Sequence, residues 1–318
     1  MFVPIRSILP LAALILQAAE TLPSPALDRR VLAMGTELCL HLEGDVDLAK
    51  ASEAALAETA RLEAACSTWE PASIWSRLNG AQGRAIRINP EWMALLGQMK
   101  DWSSRTGGAF DPVLAALMGA WGVRQGGSTP EPDALLRARR ASGAALLELD
   151  GPAGTARLTD PLAGIEEGGF LKGYALDRMR KTSRVPSGWI DFGGQILAWG
   201  RRRRVAIADP VHRQRPRLNL DLRDGSLSCS GTSERGRHIL DPRSGELCPA
   251  WGATAVVASD ALTADVLSTA LYVLGPDAGL VWAERHAVAA AFLLNDGSLR
   301  MTRSFQALNP TDGRPESR

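Results

Sequence analysis

The most informative stretch of the chain is Leu262-Thr263-Ala264-Asp265-Val266-Leu267-Ser268-Thr269-Ala270-Leu271. It predicts a packed helix on which Asp265 and Thr269 share one face, because residues four apart on a helix are neighbours. Carboxylate and hydroxyl oxygens are hard ligands of the kind that Mg²⁺ and Ca²⁺ bind. The same pair also fits a plain helix N-terminus, where Asp complements the helix dipole and Thr bonds back to a carbonyl. The stretch alone leaves both interpretations open.

Outward from this helix, strands and helices mix without strict alternation, and hairpin signals cluster in the second half of the chain. This pattern predicts an α+β fold rather than a doubly wound parallel sheet. Periodicity and Gly/Pro punctuation predict helices at 45–66, 91–106, 110–121 and 170–180, a loop at 126–132, strands at 31–42, 189–199, 205–208, 218–222, 227–229 and 253–259, and a final hairpin at 287–294 and 299–303.

Composition is that of an ordinary globular protein, with 318 residues, 45% hydrophobic and 22% charged. The net charge of +1 gives no indication of nucleic-acid or anionic-membrane binding. Near the N-terminus, Arg6 precedes an apolar run at residues 8–19 that ends in Ala18 and Ala19. This order predicts a signal peptide over residues 1–20, too short for a stable transmembrane span. We therefore expect a periplasmic or exported protein, with association with the inner membrane left open; the alternative is a buried N-terminal segment.

Glycine pairs and charges mark further candidate sites. Gly168-Gly169 precede a predicted helix, whose N–H groups together with Lys172 would suit an anion. Gly193-Gly194 indicate a strand bulge or a close approach to a ligand. The run Arg201-Arg202-Arg203-Arg204 is either a docking patch for an acidic or phosphorylated partner or a solvated hairpin tip. His238, close to Asp241, is a candidate general base or ligand, or a structural histidine.

Eight short motifs occur in a fixed order along the chain. They are Met34-Gly35-Thr36; Ser67-Thr68-Trp69-Glu70-Pro71-Ala72-Ser73 with Arg77-Leu78-Asn79; Gly108-Ala109-Phe110-Asp111-Pro112; Gly168-Gly169 through Lys172-Gly173-Tyr174-Ala175-Leu176-Asp177; Gly193-Gly194; Ser230-Gly231 with Glu234-Arg235; His238-Ile239-Leu240-Asp241-Pro242 with Gly245; and Ala264-Asp265 with Thr269-Ala270-Leu271 and Gly275. Each is weak alone, but together they are specific. Over about residues 34–294 the chain resembles the ApbE family of FAD:protein FMN transferases.

The resemblance implies a T-fold-like, two-lobed single domain, here over residues 28–305 and followed by a polar tail at 306–318. FAD would lie in a cleft between the lobes, with Mg²⁺ at its diphosphate. The implied reaction attaches FMN to a Thr or Ser hydroxyl of an acceptor protein and releases AMP. The implied partner is a flavoprotein subunit, which we expect to be a membrane-associated redox protein.

Site residues carry over by position from the same resemblance. His238 and Asp265 would be catalytic, and Gly169 (through its carbonyl), Asp265 and Thr269 would hold the metal. The flavin-contacting set would be Met34, Trp69, Ala109, Phe110, Asp111, Glu166, Lys172 and His238.

Several positions depart from the family pattern. Glu166 stands where the family usually has Asp, and Glu167 adds a second acid that could recruit a second ion or repel the ligand. Trp69 replaces a more common Tyr, and either ring can stack on a flat heterocycle. Arg237 replaces a His that often precedes His238, and Arg cannot act as a base. Two alternatives therefore remain: a non-catalytic FAD-binding carrier or assembly protein, and a Mg²⁺-dependent FAD diphosphatase.

Overall fold

The computed structural model describes residues 15–16, 24–232 and 238–313. The helices are α1 (Leu48–Cys66), α2 (Ile74–Asn79), α3 (Pro90–Arg105), α4 (Ala115–Ala120), α5 (Pro132–Arg140), α6 (Leu171–Ser183), α7 (Ala261–Arg285) and α8 (Arg303–Gln306). The strands are β1 (Ile15–Leu16), β2 (Ala26–Ala33), β3 (Thr36–Glu43), β4 (Ile86–Arg87), β5 (Leu147–Asp150), β6 (Thr155–Leu158), β7 (Ser187–Phe192), β8 (Gln195–Trp199), β9 (Arg203–Ala208), β10 (Pro216–Leu222), β11 (Gly225–Gly231), β12 (Gly252–Ala258), β13 (Ala289–Leu294), β14 (Leu299–Met301) and β15 (Thr311–Asp312). The α+β class predicted from the sequence is confirmed.

An eight-stranded antiparallel sheet in the order β14-β13-β12-β11-β8-β7-β3-β2 forms the centre of the molecule. Two of its hairpins correct the sequence prediction. The segment 31–42 is not one strand, because Met34 and Gly35 adopt positive φ and turn β2 into β3. Likewise 189–199 is two strands, and Gly193-Gly194 form the turn between β7 and β8 rather than a bulge or a ligand contact.

The two faces of this sheet are covered differently. Helices α1, α6 and α7 pack together, α1 against β2 and β3 and α7 against β11 and β12. The opposite face shares an apolar core with the sheet β1-β9-β10-β15 and with Phe305 of α8. The main core lies on the helical side and extends into the segment 67–170. Helix and sheet positions are thus set by burial on both faces of one sheet.

Helix α7 carries the stretch quoted first. Asp260 caps it by accepting from the Thr263 N–H at 2.8 Å. The helix is broken at Gly275, whose φ of 76° is non-helical, just before Pro276. By length and composition α7 could cross a membrane, but half of its most apolar part is buried against the rest of the fold. Its apolar character is therefore explained by the sheet and α6 on which it packs.

The segment 67–170, between α1 and α6, forms a second lobe with α2–α5 and the small sheet β4-β6-β5. The predicted helix at 110–121 is wrong in its first half, since α4 begins only at Ala115. Asp111 instead accepts from the Val113 N–H at 2.8 Å and holds this part as a turn. Helix α5 was not predicted, because charged residues dominate it and few apolar positions mark its face.

The arginine run is partly exposed, and its residues have carboxylate partners within the fold. It connects β8 of the large sheet to β9 of the smaller one. Arg203 pairs with Glu43 at 2.7 Å, and Arg202 and Arg204 lie 3.6 and 3.8 Å from Asp221 carboxylate oxygens. Glu43 and Asp221 thus compensate part of the charge of the run, while the Arg202 side chain stays 69% exposed.

Two short segments, one near each end of the chain, pair with the smaller sheet. Ile15–Leu16, within the predicted signal peptide, pair with β9, and most of that peptide lies outside the described residues. Within the predicted polar tail, Thr311–Asp312 pair with β10. All four cysteines are in the described ranges, and none forms a disulfide.

Candidate active site

Asp265 is buried at the start of α7, with 5% of its surface exposed. Its Oδ2 accepts a hydrogen bond from the Gly173 backbone N–H at 2.9 Å. Burial raises the pKa of Asp265, whereas the charge of Lys172 and the Gly173 N–H lower it. A buried carboxylate gains from a cation at close range. A cation bound next to Asp265 would therefore stabilise its charged form.

Thr269 lies one helical turn after Asp265 on α7, and Gly169 approaches it from the segment before α6. A Cβ placed on Gly169 would lie 3.6 Å from Thr269 Oγ1 and 3.4 Å from Phe110 Cε2. The missing side chain leaves space next to the hydroxyl and to the Gly169 backbone. The structure thus brings together Gly169, Thr269 and Phe110, three residues predicted for one site.

A chain of hydroxyl groups supports Thr269 from behind. Thr269 Oγ1 lies 3.4 Å from Ser230 Oγ, which lies 2.9 Å from Ser268 Oγ. Ser268 Oγ also donates to the Asp265 backbone carbonyl at 3.0 Å and lies 3.1 Å from Ser228 Oγ. These contacts join β11 to α7 and restrict the orientation of the Thr269 hydroxyl.

The residues predicted to hold Mg²⁺ fit such an ion. They offer one carboxylate, one hydroxyl and one backbone carbonyl, and the absent side chain of Gly169 leaves a methyl-sized gap beside the hydroxyl. When bound, the ion would supply positive charge to a neighbouring diphosphate. The described residues contain no group of three or more His, Cys, Asp or Glu side chains suited to a metal.

Helix α6 meets α7 closely at Gly173. A Cβ on Gly173 would come within 2.4 Å of the Ala261 carbonyl oxygen and 2.8 Å of Asp265 Cβ. One turn later, Asp177 accepts from the Ala261 and Leu262 N–H groups at 2.8 and 2.9 Å. The start of α6 therefore faces the start of α7, and this pairing aims the Gly173 N–H at Asp265.

The acid pair Glu166 and Glu167 is held by Arg124 and Thr68. Arg124 Nη2 donates to Glu166 Oε2 at 2.7 Å and lies 3.9 Å from Glu167 Oε2. Thr68 donates to Glu167 through its backbone N–H at 3.0 Å and through its hydroxyl at 2.8 Å. The second acid is thus occupied by partners within the protein.

Charge balance at this pair is incomplete. The pKa of Glu166 is raised to about 7, by burial first and by the neighbouring Glu167 charge second, against the opposing effect of Arg124. Arg124, Thr68 and Glu166 also line a cavity of about 190 Å³ together with Asn79, Met118 and Ile165. The cluster therefore borders open space rather than close-packed core.

The other predicted flavin contacts lie on several different elements of the fold. Met34 is half-buried at the β2–β3 turn, where its N–H donates to Glu63 Oε1 of α1 at 3.1 Å. Ala109 and Phe110 are buried, and Phe110 makes an edge-on contact with Phe170. Lys172, in the first turn of α6, is half-buried and acts on Asp265 electrostatically.

The buried Asp111 carboxylate accepts hydrogen bonds from three groups of the protein itself. It accepts from Ser103 Oγ and from the Val113 and Ala144 N–H groups, each at 2.8 Å. Burial raises its pKa, and these three donors oppose the rise. Asp111 therefore holds the turn that presents Ala109 and Phe110, and its predicted contact with FAD stays a prediction.

His238 is half-buried and directly follows residues 233–237, which lie outside the described residues. The motif residues Glu234-Arg235 and the departure Arg237 fall in that segment. Beyond His238, the Asp241–Gly245 turn packs on the second lobe, since Trp121 Nε1 donates to the Gly245 carbonyl at 2.8 Å. This contact fixes the segment that carries His238 against the lobe.

Comparison with known proteins identifies the family. The family model described as "ApbE family" matches residues 34–293. The chain belongs to the ApbE family. The match includes every residue carried over by position from the resemblance.

Curated ApbE relatives are similar at low identity. A protein of Rhodobacter capsulatus named FAD:protein FMN transferase is 28% identical over 90% of this chain, and the match covers 59% of that relative's length. A Klebsiella pneumoniae protein of the same name is 26% identical, with 88% of each chain covered.

Solved ApbE structures share the fold. The apo flavinyl transferase ApbE of Pseudomonas stutzeri has a TM-score of 0.81 at 27% identity, covering 91% of this chain and 98% of that one. The ApbE protein of Thermotoga maritima has a TM-score of 0.84 at 23% identity, covering 89% and 99%.

Some residues of this ApbE site were missed by sequence reasoning. Two adjacent acids near a cleft imply a nearby cation, but nothing in the sequence singles out Arg124 among 36 Lys and Arg residues. Gly173 and Asp177 stand in a quoted motif, yet their roles depend on the packing of α6 against α7. The Ser230–Ser268 contact likewise needs β11 and α7 to be adjacent.

Proposed function

We propose that this protein transfers FMN from FAD to a Thr or Ser hydroxyl of an acceptor protein, releasing AMP in a Mg²⁺-dependent reaction. One observation carries the proposal: the buried Asp265 carboxylate, the Thr269 hydroxyl and the Gly169 backbone lie together beside the start of α6 in a chain of the ApbE family. Curated relatives over most of the chain bear the name of this activity.

The chemistry follows from the groups present. The acceptor oxygen forms a bond to the FMN phosphorus, the bond to the bridging diphosphate oxygen breaks, and AMP leaves with that oxygen. The hydroxyl proton passes to a base, for which His238 is the candidate. Lys172 and the N–H groups at the start of α6 stabilise negative charge on the phosphates. Phosphoryl-group transfer needs mainly such positioning and charge neutralisation.

One incubation separates this function from its alternatives. The protein is mixed with FAD, Mg²⁺ and an acceptor protein that carries an exposed Thr, and AMP and flavin fluorescence on the acceptor band are measured. Both should appear. AMP with FMN but no labelled acceptor would indicate a diphosphatase, and neither product would indicate a carrier.

A matched pair of variants ties the result to the site. Thr269→Val removes the hydroxyl next to Gly169 and should lower AMP release, with partial recovery at high Mg²⁺. Thr263→Val makes the same change on the same helix, where the Thr263 backbone N–H serves the Asp260 cap. Equal activity of both variants would contradict the assignment of Thr269.

We also propose that the reaction takes place outside the cytoplasm, in the periplasm, on a membrane-associated redox protein. The apolar run at residues 8–19 after Arg6 supports export.

A further inference from the structure

Trp69 is a large aromatic side chain left in solvent, with 67% of its surface exposed. One face of its ring is nevertheless covered, because the Arg124 guanidinium lies 4.6 Å from the ring centroid. A cation over an indole face is attracted to the ring. The exposed ring is thus held on one side, and the high exposure leaves surface for a second flat group.

The guanidinium is itself fixed by the acid pair. Its Nη2 donates to Glu166 Oε2 at 2.7 Å and to Thr68 Oγ1 at 2.6 Å. Thr68 in turn donates to Glu167, which adds a second negative charge 3.9 Å from the same nitrogen. Charge-assisted bonds of this kind are short and directional. Arg124 therefore cannot leave the ring without breaking them.

We propose that Arg124 is a positioning residue that holds Trp69 by one face, so that the other face is ready to stack on the isoalloxazine ring of the flavin. The acid pair serves to fix the guanidinium. The inference rests on the proposed function only in taking a flavin as the ligand. Ordering a ring before binding reduces the side-chain entropy lost when the ligand stacks.

The shape of the guanidinium suits this role. It is planar, it stacks on aromatic faces, and its fork donates to a carboxylate at the same time. Lysine offers a point charge and no flat surface. The departure from the family pattern at Glu167 is then coupled to Arg124 rather than to a second metal ion.

Riboflavin is the probe, because it carries the isoalloxazine ring but no phosphate, and its binding does not depend on the metal site. Binding is measured by quenching of riboflavin fluorescence, which stacking on an indole produces. Arg124→Met should weaken riboflavin binding about fivefold, which corresponds to about 1 kcal/mol. Arg105→Met is the matched control, since Arg105 covers the Trp102 ring at 3.9 Å on α3. It should leave riboflavin binding unchanged.

A double-mutant cycle shows whether Arg124 acts through Trp69. In a Trp69→Ala background, Arg124→Met should have little further effect on riboflavin affinity. An equal effect in both backgrounds would mean that Arg124 contacts the flavin directly, and would overturn the proposal.

Loss of Arg124 leaves two acids without their cation, so folding needs its own control. Arg124→Met with Glu167→Gln removes one positive and one negative charge together. This pair of changes should restore the thermal midpoint while riboflavin binding stays weak. Recovery of riboflavin binding together with stability would show that Arg124 only stabilises the fold.

The outcome is separable from that of the proposed function. Failure to label an acceptor, with the riboflavin results as expected, would remove the transferase proposal and keep the role of Arg124. Wild-type protein that releases AMP but does not bind or quench riboflavin would remove the role of Arg124 and keep the transferase.

Discussion

Asp265 is a buried carboxylate whose environment in the protein alone favours the binding of a cation. Its carboxylate is buried and receives one hydrogen bond from the described residues, from the Gly173 N–H. Burial raises its pKa, so the charged form is disfavoured in the protein alone. A divalent cation would reverse that balance, because it compensates the desolvated charge.

The first prediction concerns this carboxylate. Asp265→Asn keeps an oxygen that can accept from Gly173 but removes the charge. Wild-type protein should gain thermal stability on addition of Mg²⁺, by about 2.7 kcal/mol when Mg²⁺ reaches about 100 times its Kd. The variant should gain almost nothing, as measured by thermal unfolding with and without Mg²⁺.

Asp260→Asn is the control on the same helix. Asn caps a helix as well as Asp does, so this variant should keep the Mg²⁺ response. A Mg²⁺ response that survives in Asp265→Asn would show that the ion binds elsewhere.

At this scale the sequence predicted residue types better than residue roles. The four-residue spacing was enough to place Asp265 and Thr269 on one face of a helix. The burial of Asp265 could not be predicted, because it depends on how closely α6 approaches. Asp111 illustrates the opposite case: a motif position with three internal donors, whose function in the fold is visible only in the structure.

The contact between α6 and α7 is the element-scale feature on which the site depends. Gly173 lets the helices approach, and Asp177 caps α7 from α6 through two N–H groups. Both effects orient the start of one helix toward the start of the other. A small change in this contact should therefore affect both stability and the position of Asp265.

The second prediction tests the close approach. In Gly173→Ala the new Cβ would lie 2.4 Å from the Ala261 carbonyl oxygen, a backbone atom that cannot rotate away. The free energy of unfolding in urea should fall by about 1–3 kcal/mol, the usual cost of overpacking.

Gly97→Ala in α3 is the matched control, since nothing lies within 4 Å of the added Cβ there. It should stabilise the protein slightly, by roughly 0.5–1 kcal/mol, because Ala is the better helix former. Equal stability of the two variants would contradict the tight α6–α7 contact.

The third prediction concerns pH. Burial raises the pKa of Asp177 to about 6, although the Ala261 and Leu262 N–H groups oppose the rise. In the unfolded chain an Asp ionises near pH 4. The stabilising contribution of this group is therefore complete below about pH 4 and is lost as the pH rises through about 6.

Asp177→Asn removes the titration while keeping an oxygen at the cap. The free energy of unfolding of the wild type should fall by roughly 2 kcal/mol relative to the variant between pH 4 and pH 7. Denaturant curves at several pH values measure the difference. Parallel pH profiles would show that the pKa of Asp177 is not raised.

Elements were predicted best where periodicity is long. Helices α1, α3 and α6 were predicted nearly in full, whereas the β2–β3 and β7–β8 hairpins were each taken for one strand. Each turn consists of two residues with positive φ. Met34 is not among the residue types that usually adopt positive φ, so the β2–β3 turn has little signal in the sequence. The helix predicted at 110–121 was wrong in its first half for a different reason. There the Asp111 side chain accepts from the Val113 backbone N–H and stabilises a turn in place of a helix.

At the scale of the whole molecule, the predicted site residues come from three separate parts. Helices α6 and α7 bring Lys172, Asp265 and Thr269, while the second lobe brings Phe110, Arg124, Trp69 and, at its end, Gly169. The segment from His238 to Gly245 packs on that lobe through Trp121. The order of motifs along the sequence indicated such a site, but the contacts among the three parts depend on the large sheet that supports them.

The final prediction concerns the N-terminal residues. If residues 1–20 are a cleaved signal peptide, the mature protein must fold without β1. That strand has two residues and pairs only with β9, whereas β9 also pairs along β10. A chain that starts at Ser24 should therefore have a free energy of unfolding in urea within about 1 kcal/mol of that of the full chain, because the loss is limited to a few net hydrogen bonds. It should also retain riboflavin binding.

A second experiment tests export: residues 1–30 fused to a reporter that works only outside the cytoplasm should give activity. A shortened chain that does not fold, or a silent reporter, would show that the N-terminal residues stay with the domain and would contradict export.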